Sequence, residues 1–267
     1  MIETMDGASL EACKSYVAEL RKRDVVPSAA LCVFVAGSLV RGWGNEKSDV
    51  DLYIIAEELW TGRTSSLASV GLEPSIVPAY ALYVDERKLD VAYWLNDQID
   101  QLLAKVSWGN FDNSQNSADL LTDHEIEFLA RLSHSRAVVG ESWLERRRHE
   151  AENSAVRAFA VARNLNFTEV LIEDAVGQLQ AGDAYSAVLS ARAAFGHAVD
   201  ALLSSYGEIG TSVKWRARRM MEVHQEILSF DDYWSLETMQ TYNPLHSETW
   251  IRAIIRICKK ISHQVNI

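Results

Sequence analysis

The sequence predicts an α+β protein: a small mixed β-sheet with helices over residues 1–140, followed by a C-terminal α-helical bundle over residues 141–267. Three observations carry this. Apolar runs bounded by Gly, Pro or polar turns crowd the first 95 residues, as buried strands do. From about residue 96 the apolar positions recur at helical spacing instead. At 267 residues the chain is long enough for two ordinary domains.

Each element has its own signal. Leu10, Cys13, Val17 and Leu20 recur at helical intervals and "RKRD" closes the segment, which reads as an amphipathic surface helix. "AALCVFVAG" (29–37) is a continuous apolar run between Pro27 and Gly37, a buried strand; "VDLYII" (50–55) is a second. "EELWTGRTSSLASVGLEP" reads as a loop or short helix ending at Gly71 and Pro74. "AYALYV" (79–84) and "LDVAYWL" (89–95) flank the polar "DERK" and form a hairpin. The expectation is about four strands with helices on one side.

The remainder is helical. "DQIDQLLAKV", "DHEIEFLARLSHS" and "ESWLERRRHEAENSAVRAFAVARNLNF" all have helical spacing, and "DNSQNSAD" (112–119) is the most loop-like stretch. "TEVLIEDAVGQLQAG" follows, then "DAYSAVLSARAAFGHAVDALLSSYGE", with Asp183 placed as N-cap and Gly207 as the residue after the C-cap. "TSVKWRARRMMEVHQEI" and a last helix near 246–264 complete about five helices in a bundle.

Composition narrows the function classes. The chain is 48% hydrophobic and 24% charged, ordinary for a folded protein. No apolar run approaches the ~18 residues that span a bilayer, and the N-terminus lacks a signal-peptide pattern. Cys13, Cys32 and Cys258 lie far apart in apolar stretches, as buried thiols in a reducing cytoplasm would. The seven histidines form no close pair with zinc-ligand spacing. Net charge is −11, with −9 in residues 1–140 and −2 in 141–267. That balance argues against broad salt-driven nucleic-acid binding and is compatible with a cationic small molecule.

The chemistry concentrates in "FVAGSLVRGWGNEKSDVDLYII" (34–55), where Asp49 and Asp51 interrupt an apolar strand. Alternation puts both on one side of the strand, with Val50 and Leu52 on the other. Two like charges that close repel, and a divalent cation reverses the balance. Gly37 lets the backbone approach a phosphate where a side chain would clash. Ser38 and the amides that follow can donate to phosphate oxygens.

Gly37-Ser38, a ten-residue spacer, Asp49-x-Asp51 within a strand and Asp90 on a later strand resemble the motif of the DNA polymerase β-like nucleotidyltransferase superfamily, nearest its minimal and antibiotic-modifying members. The resemblance covers residues 29–95; beyond them it rests on architecture, since members often carry a C-terminal helical bundle. It implies a Mg²⁺-dependent enzyme that moves a nucleoside monophosphate, AMP from ATP, to a hydroxyl of a small-molecule acceptor and releases pyrophosphate. An aminoglycoside-like antibiotic or a biosynthetic intermediate is the expected acceptor. Asp49 and Asp51 would hold the metal, and Asp90 would share a second ion or act as general base; Asp85 and Glu86 compete for that place from the turn. Gly37, Ser38, Arg41, Lys47 and Ser48 would meet the nucleotide, with "RGWG" as a loop over it and Trp43 against a base. Two alternatives remain at this level: transfer to a protein or RNA end, as toxin–antitoxin relatives do, and a non-catalytic nucleotide-binding protein.

Other features weigh less. Arg192 and His197 resemble the R-x4-H pattern of HEPN ribonucleases, but five residues apart they lie on different helix faces. "KWRARR" (214–219) reads as a solvated helix face, or as contacts to phosphate, and "ERRRHE" (145–150) as a charged surface helix.

Overall fold

A computed structural model describes residues 7–113 and 120–266. Contacts divide the chain into two compact units, Met1–Asn110 with Leu121–Ser154, and Phe111–Leu120 with Ala155–Ile267. The first holds α1 (Gly7–Lys22), β1 (Cys32–Ala36), β2 (Val50–Ala56), β3 (Ser66–Ser69), β4 (Ile76–Val84), β5 (Arg87–Leu95), α2 (Asn96–Lys105), α4 (Asp123–Ser133), β6 (Arg136–Val139) and α5 (Glu141–Glu152). A short α3 (Trp108–Asn113) ends where the described residues break; from residue 114 the loop expected at 112–119 lies outside them.

The strands form one six-stranded mixed sheet in the order β3-β4-β5-β2-β1-β6, with β2 and β5 parallel and the other pairs antiparallel. The expected hairpin is present. Asp85 and Glu86 turn it with φ of 49° and 66°, the left-handed pair that a two-residue hairpin loop requires. Two strands exceed the sequence expectation: β3, a mostly exposed four-residue strand at one edge, and β6, four residues at the other.

Helices cover both faces rather than one, because both faces are apolar. Val33, Val35, Leu52, Ile54 and Val91 pack against Cys13 and Val17 of α1. On the opposite face Phe34 stacks on Tyr53 with centroids 5.0 Å apart, and Phe128 of α4 meets both rings and that of Trp94. The five buried residues of β1 carry the continuous apolar run of a strand covered on both sides.

A capping box starts α4: the Thr122 hydroxyl accepts from the Glu125 amide, and Glu125 Oε2 accepts from the Thr122 amide at 2.8 Å. The fully buried Glu125 also accepts from Lys105 Nζ and from the Gly71 amide, both at 2.8 Å, tying α2, α4 and the β3–β4 connection together. Helix α5 belongs to this unit. Its "ERRRHE" segment is anchored rather than merely solvated: Arg147 is buried against Asp100 and Glu150, and Arg148 donates to the Leu132 and Ser135 carbonyls.

The second unit contains α6 (Val156–Gln180), α7 (Ala184–Ser205), α8 (Arg216–Glu222), α9 (Phe230–Glu237) and α10 (Ser247–Gln264). The segments read as "NLNF" and "TEVL" are one 25-residue helix. Asp183 caps α7 by accepting from the Ser186 amide, and Gly207 has a φ of 93° beyond its end. The alanine face of α7 packs with Phe195, Leu202, Ile251, Ile254 and Cys258 in the core. All three cysteines are buried and free, and burial pushes Cys13 up to about 11. Among the described residues no helix is long and apolar enough to cross a membrane.

The "KWRARR" segment departs from its sequence reading. Arg216 and Arg219 are buried, and both donate to Asp200 of α7: Arg216 at 3.0 and 2.7 Å, Arg219 at 3.0 Å. Gly196, one turn earlier on α7, leaves the room that the Arg216 guanidinium fills, since a Cβ there would meet Nη1 at 3.0 Å. Asp200→Ala removes the carboxylate shared by two buried guanidinium groups, leaving Arg216 only Glu237 at 3.6 Å and Arg219 only the Glu208 and Ser212 carbonyls, a change that costs about 3–5 kcal/mol. We expect that loss in chemical denaturation of the variant. A loss under about 1 kcal/mol would show that water reaches the cluster and replaces the carboxylate.

Candidate active site

The site grows from the end of β1. Gly37 follows with a φ of 82°, and its carbonyl accepts from the Arg41 amide; the Ser38 carbonyl accepts from the Trp43 and Gly44 amides at 2.9 and 3.0 Å. The chain thus makes one tight turn. Gly37 is required twice over, by its left-handed backbone and by space. A Cβ there would lie 2.1 Å from Asp51 Oδ2 and 2.5 Å from Arg131 Nη1.

Strand register assembles the carboxylates. Ala36 pairs with Asp51 across β1 and β2, and Asp51 pairs with Asp90 across β2 and β5. Asp49 directly precedes β2, and Lys88 Nζ bridges it to Asp90, 2.9 Å from Asp49 Oδ2 and 2.7 Å from Asp90 Oδ2. Asp51 takes a different cation, Arg131 of α4, whose Nη1 stands 3.4 Å from Oδ2 while Nη2 holds Glu127 at 2.7 Å. Burial pushes the Asp51 carboxyl up; Arg131 pulls it down, and Asp90, Glu127 and Asp49 add to the rise. Hydrogen bonds that Lys88 donates to Asp90 and Asp49 hold its ammonium well above the usual lysine range.

The other sequence-selected residues separate. Ser48 and Asn45 close the turn before β2, with the Ser48 hydroxyl accepting from the Asn45 amide and Asn45 Oδ1 accepting from the Lys47 amide. Lys47 is exposed in that turn. Arg87 fastens the turn to β5 by donating to the Glu46 and Ser48 carbonyls. Trp43 is buried and carries the Arg41 guanidinium 4.0 Å over its ring, so it packs the loop instead of presenting a face to a base. Asp85 and Glu86 are exposed in the hairpin turn. Arg192 pairs with Glu237, whereas His197 contacts Asn164 Oδ1 at 3.1 Å and packs on Phe167.

Sequence reasoning missed Lys88, Arg131 and Glu127. Lys88 was within reach, because two residues before Asp90 on a strand it shares that residue's face. Arg131 lies 80 positions from Asp51 and carried no such signal. Asp51 and Asp90 also line a groove of about 230 Å³ over the sheet, together with Tyr53, Ser65, Ser66 and Tyr80.

The donor set suits a hard divalent cation: carboxylate oxygens where the two central strands β2 and β5 begin. Asp49, Asp51, Asp90 and Glu127 bring four negative charges against two positive ones from Lys88 and Arg131, leaving the excess that one divalent ion neutralises. Among the described residues, however, no three such side chains are gathered closely enough to hold an ion as they stand. Lys88 occupies the space between two of them.

Two outcomes follow from this geometry. Gly37→Ala strains the backbone and drives a methyl into the Asp51–Arg131 contact, and it should cost at least the ~1–2 kcal/mol of an L-residue in the left-handed region; a melting curve equal to that of the unmodified protein would contradict the packing. Asp51→Asn should melt no lower than the unmodified protein in EDTA at pH 7, because it removes a carboxylate that burial and like charge disfavour. With its native carboxyl raised, the folded chain takes up this proton before the unfolded one, so acidification relieves the penalty. The advantage of Asp51→Asn should therefore shrink as pH falls, and an advantage that grows would reverse the sign argued here.

No family model and no curated protein sequence matches the chain. Among solved structures it is similar to a nucleotidyltransferase-like protein from Exiguobacterium sibiricum 255-15, at 10% identity, over 94% of this chain and 74% of that one, with a TM-score of 0.52. The sheet with its following helices is thus a nucleotidyltransferase-like fold.

Proposed function

We propose that the protein is a Mg²⁺-dependent nucleotidyltransferase that moves AMP from ATP to a hydroxyl of a small-molecule acceptor, releasing pyrophosphate. The observation that carries this reading is the β2–β5 register, which sets Asp51 beside Asp90 next to the Gly37 turn, with Asp49 joined to Asp90 through Lys88. The likeness in fold supports it. Asp49 and Asp51 would hold the magnesium ion, which would supply charge neutralisation to the triphosphate and the departing pyrophosphate.

The chain's own residues do the rest. Gly37 and Ser38 bring backbone and hydroxyl donors to the phosphates, and the groove over β5 and β4 gives the reacting groups a wall of strand residues. Asp90 accepts the proton of the attacking hydroxyl or completes the metal site. The acidic character of this half of the chain suits a cationic acceptor such as an amino sugar.

Pyrophosphate release measured with four NTPs against a panel of hydroxylated amines tests the proposal directly. Asp49→Asn and Asp51→Asn should abolish transfer while the fold persists. Asp90→Asn should keep nucleotide binding and lose roughly 10²–10⁴ in turnover, the size of a general-base contribution. Activity retained in Asp49→Asn or Asp51→Asn would sink the metal assignment. Label from ATP appearing on protein or RNA in place of the amines would overturn the acceptor class.

A further inference from the structure

We propose that Lys88 is an internal counter-cation that closes the Asp49–Asp90 pair and yields it only when a divalent ion arrives with nucleotide, whose phosphates then take the lysine's ammonium. This rests on the function proposed above and concerns how that site is loaded.

The geometry separates two kinds of cation. Arg131 is forked between Asp51 and Glu127, packs against the bare Cα of Gly37 and is 24% exposed, so leaving would break two carboxylate contacts at once. Lys88 lies one residue inside β5 from the hairpin turn, and its side chain is 34% exposed. Its single ammonium, on a flexible stem, spans two carboxylates that are themselves 40% and 38% exposed. An exchange of that ammonium for a divalent ion therefore needs no change in strand register. The exchange has a cost, since two charge-assisted hydrogen bonds are given up. A bare divalent ion must meet that cost alone. A metal–triphosphate offsets it, because the displaced ammonium gains anionic oxygens as new acceptors. Metal entry is thereby coupled to nucleotide, and a bare ion is held weakly.

The test uses Mn²⁺ as probe, titrated by electron paramagnetic resonance into the full-length protein and into Lys88→Met, with and without ATP. Without nucleotide, Lys88→Met should bind Mn²⁺ about tenfold or more tightly than the unmodified protein, since a unit positive charge has left the pair. With Mn²⁺ saturating, the same variant should bind ATP more weakly. A merely structural lysine would show the opposite on the first count, as its loss would loosen the site. Equal or weaker Mn²⁺ binding by Lys88→Met, while the unmodified protein still binds Mn²⁺ with ATP, overturns this inference alone. No Mn²⁺ binding by either protein, with or without ATP, overturns the proposed function and this inference together.

Discussion

Everything at the site depends on how β5 lies against β2. The two strands run parallel, and their register is fixed by apolar side chains on the face packed against α1: Leu52 and Ile54 from one, Leu89, Val91 and Tyr93 from the other. Because side chains alternate, fixing that face fixes the opposite one, and Asp51 and Asp90 must then stand side by side. A slip of one residue would turn Asp90 into the α1 core and bring Leu89 to the site. The cost of burying that carboxylate, and of exposing the leucine, holds the register. The core thus specifies the chemistry through the period of the strand.

Carboxylates placed this way need compensating charge, and the two units handle the need differently. In the helical unit Asp200 meets two arginines, and all three side chains are at most 7% exposed. Such a cluster is closed: Glu237 stands 3.6 Å from Arg216 as the second carboxylate, so two acidic and two basic charges are met within the protein. On the central strands of the sheet the carboxylates outnumber their cations and stay partly open to water. An excess of negative charge with solvent access is a site that can accept a cation. Similar side-chain chemistry therefore reads as structure in one place and as a candidate site in the other, and exposure with charge balance makes the distinction.

Much of this was legible in the sequence, for physical reasons that also explain the misses. Strong strands such as β1, β2 and the β4–β5 hairpin announced themselves, because long apolar runs between turn residues admit few other structures. Asp85 and Glu86 fell in the turn, as the polar "DERK" implied. Strands β3 and β6 did not announce themselves: each is four residues long, and β3 gains its place from pairing with β4 rather than from its own apolarity. The arginines of "KWRARR" were misread since a charged run says nothing about a lone aspartate sixteen residues earlier on another helix. Within the site, Asp49, Asp51 and Asp90 could be brought together from strand alternation and the motif. Arg131 could not, as its position depends on where α4 starts and how it packs. The capping box at Thr122 and Glu125 sets the start, and Phe128 against Phe34 and Tyr53 sets the rotation that turns Arg131 toward Asp51.

That dependence places the two cations in different roles. Arg131 is held from both ends: α4 is locked to the sheet by Phe128 and to α2 by Glu125, and the guanidinium fills the space that a side chain at residue 37 would take. Its charge is a constant of the fold and fixes where the Asp51 carboxylate sits. Lys88 belongs to no such lock. It is a side chain on a strand next to a turn, and its partners are the very groups that a metal would claim. Similar charges, one on a planar fork and one on a flexible stem, thus differ in role: the arginine orders the carboxylates, and under the exchange proposed above the lysine would set the threshold for occupancy. Exchanging them would undo both roles, since an arginine at residue 88 would clamp the carboxylate pair bidentately, and a lysine at residue 131 would lack the two separate nitrogens with which Arg131 meets Asp51 and Glu127.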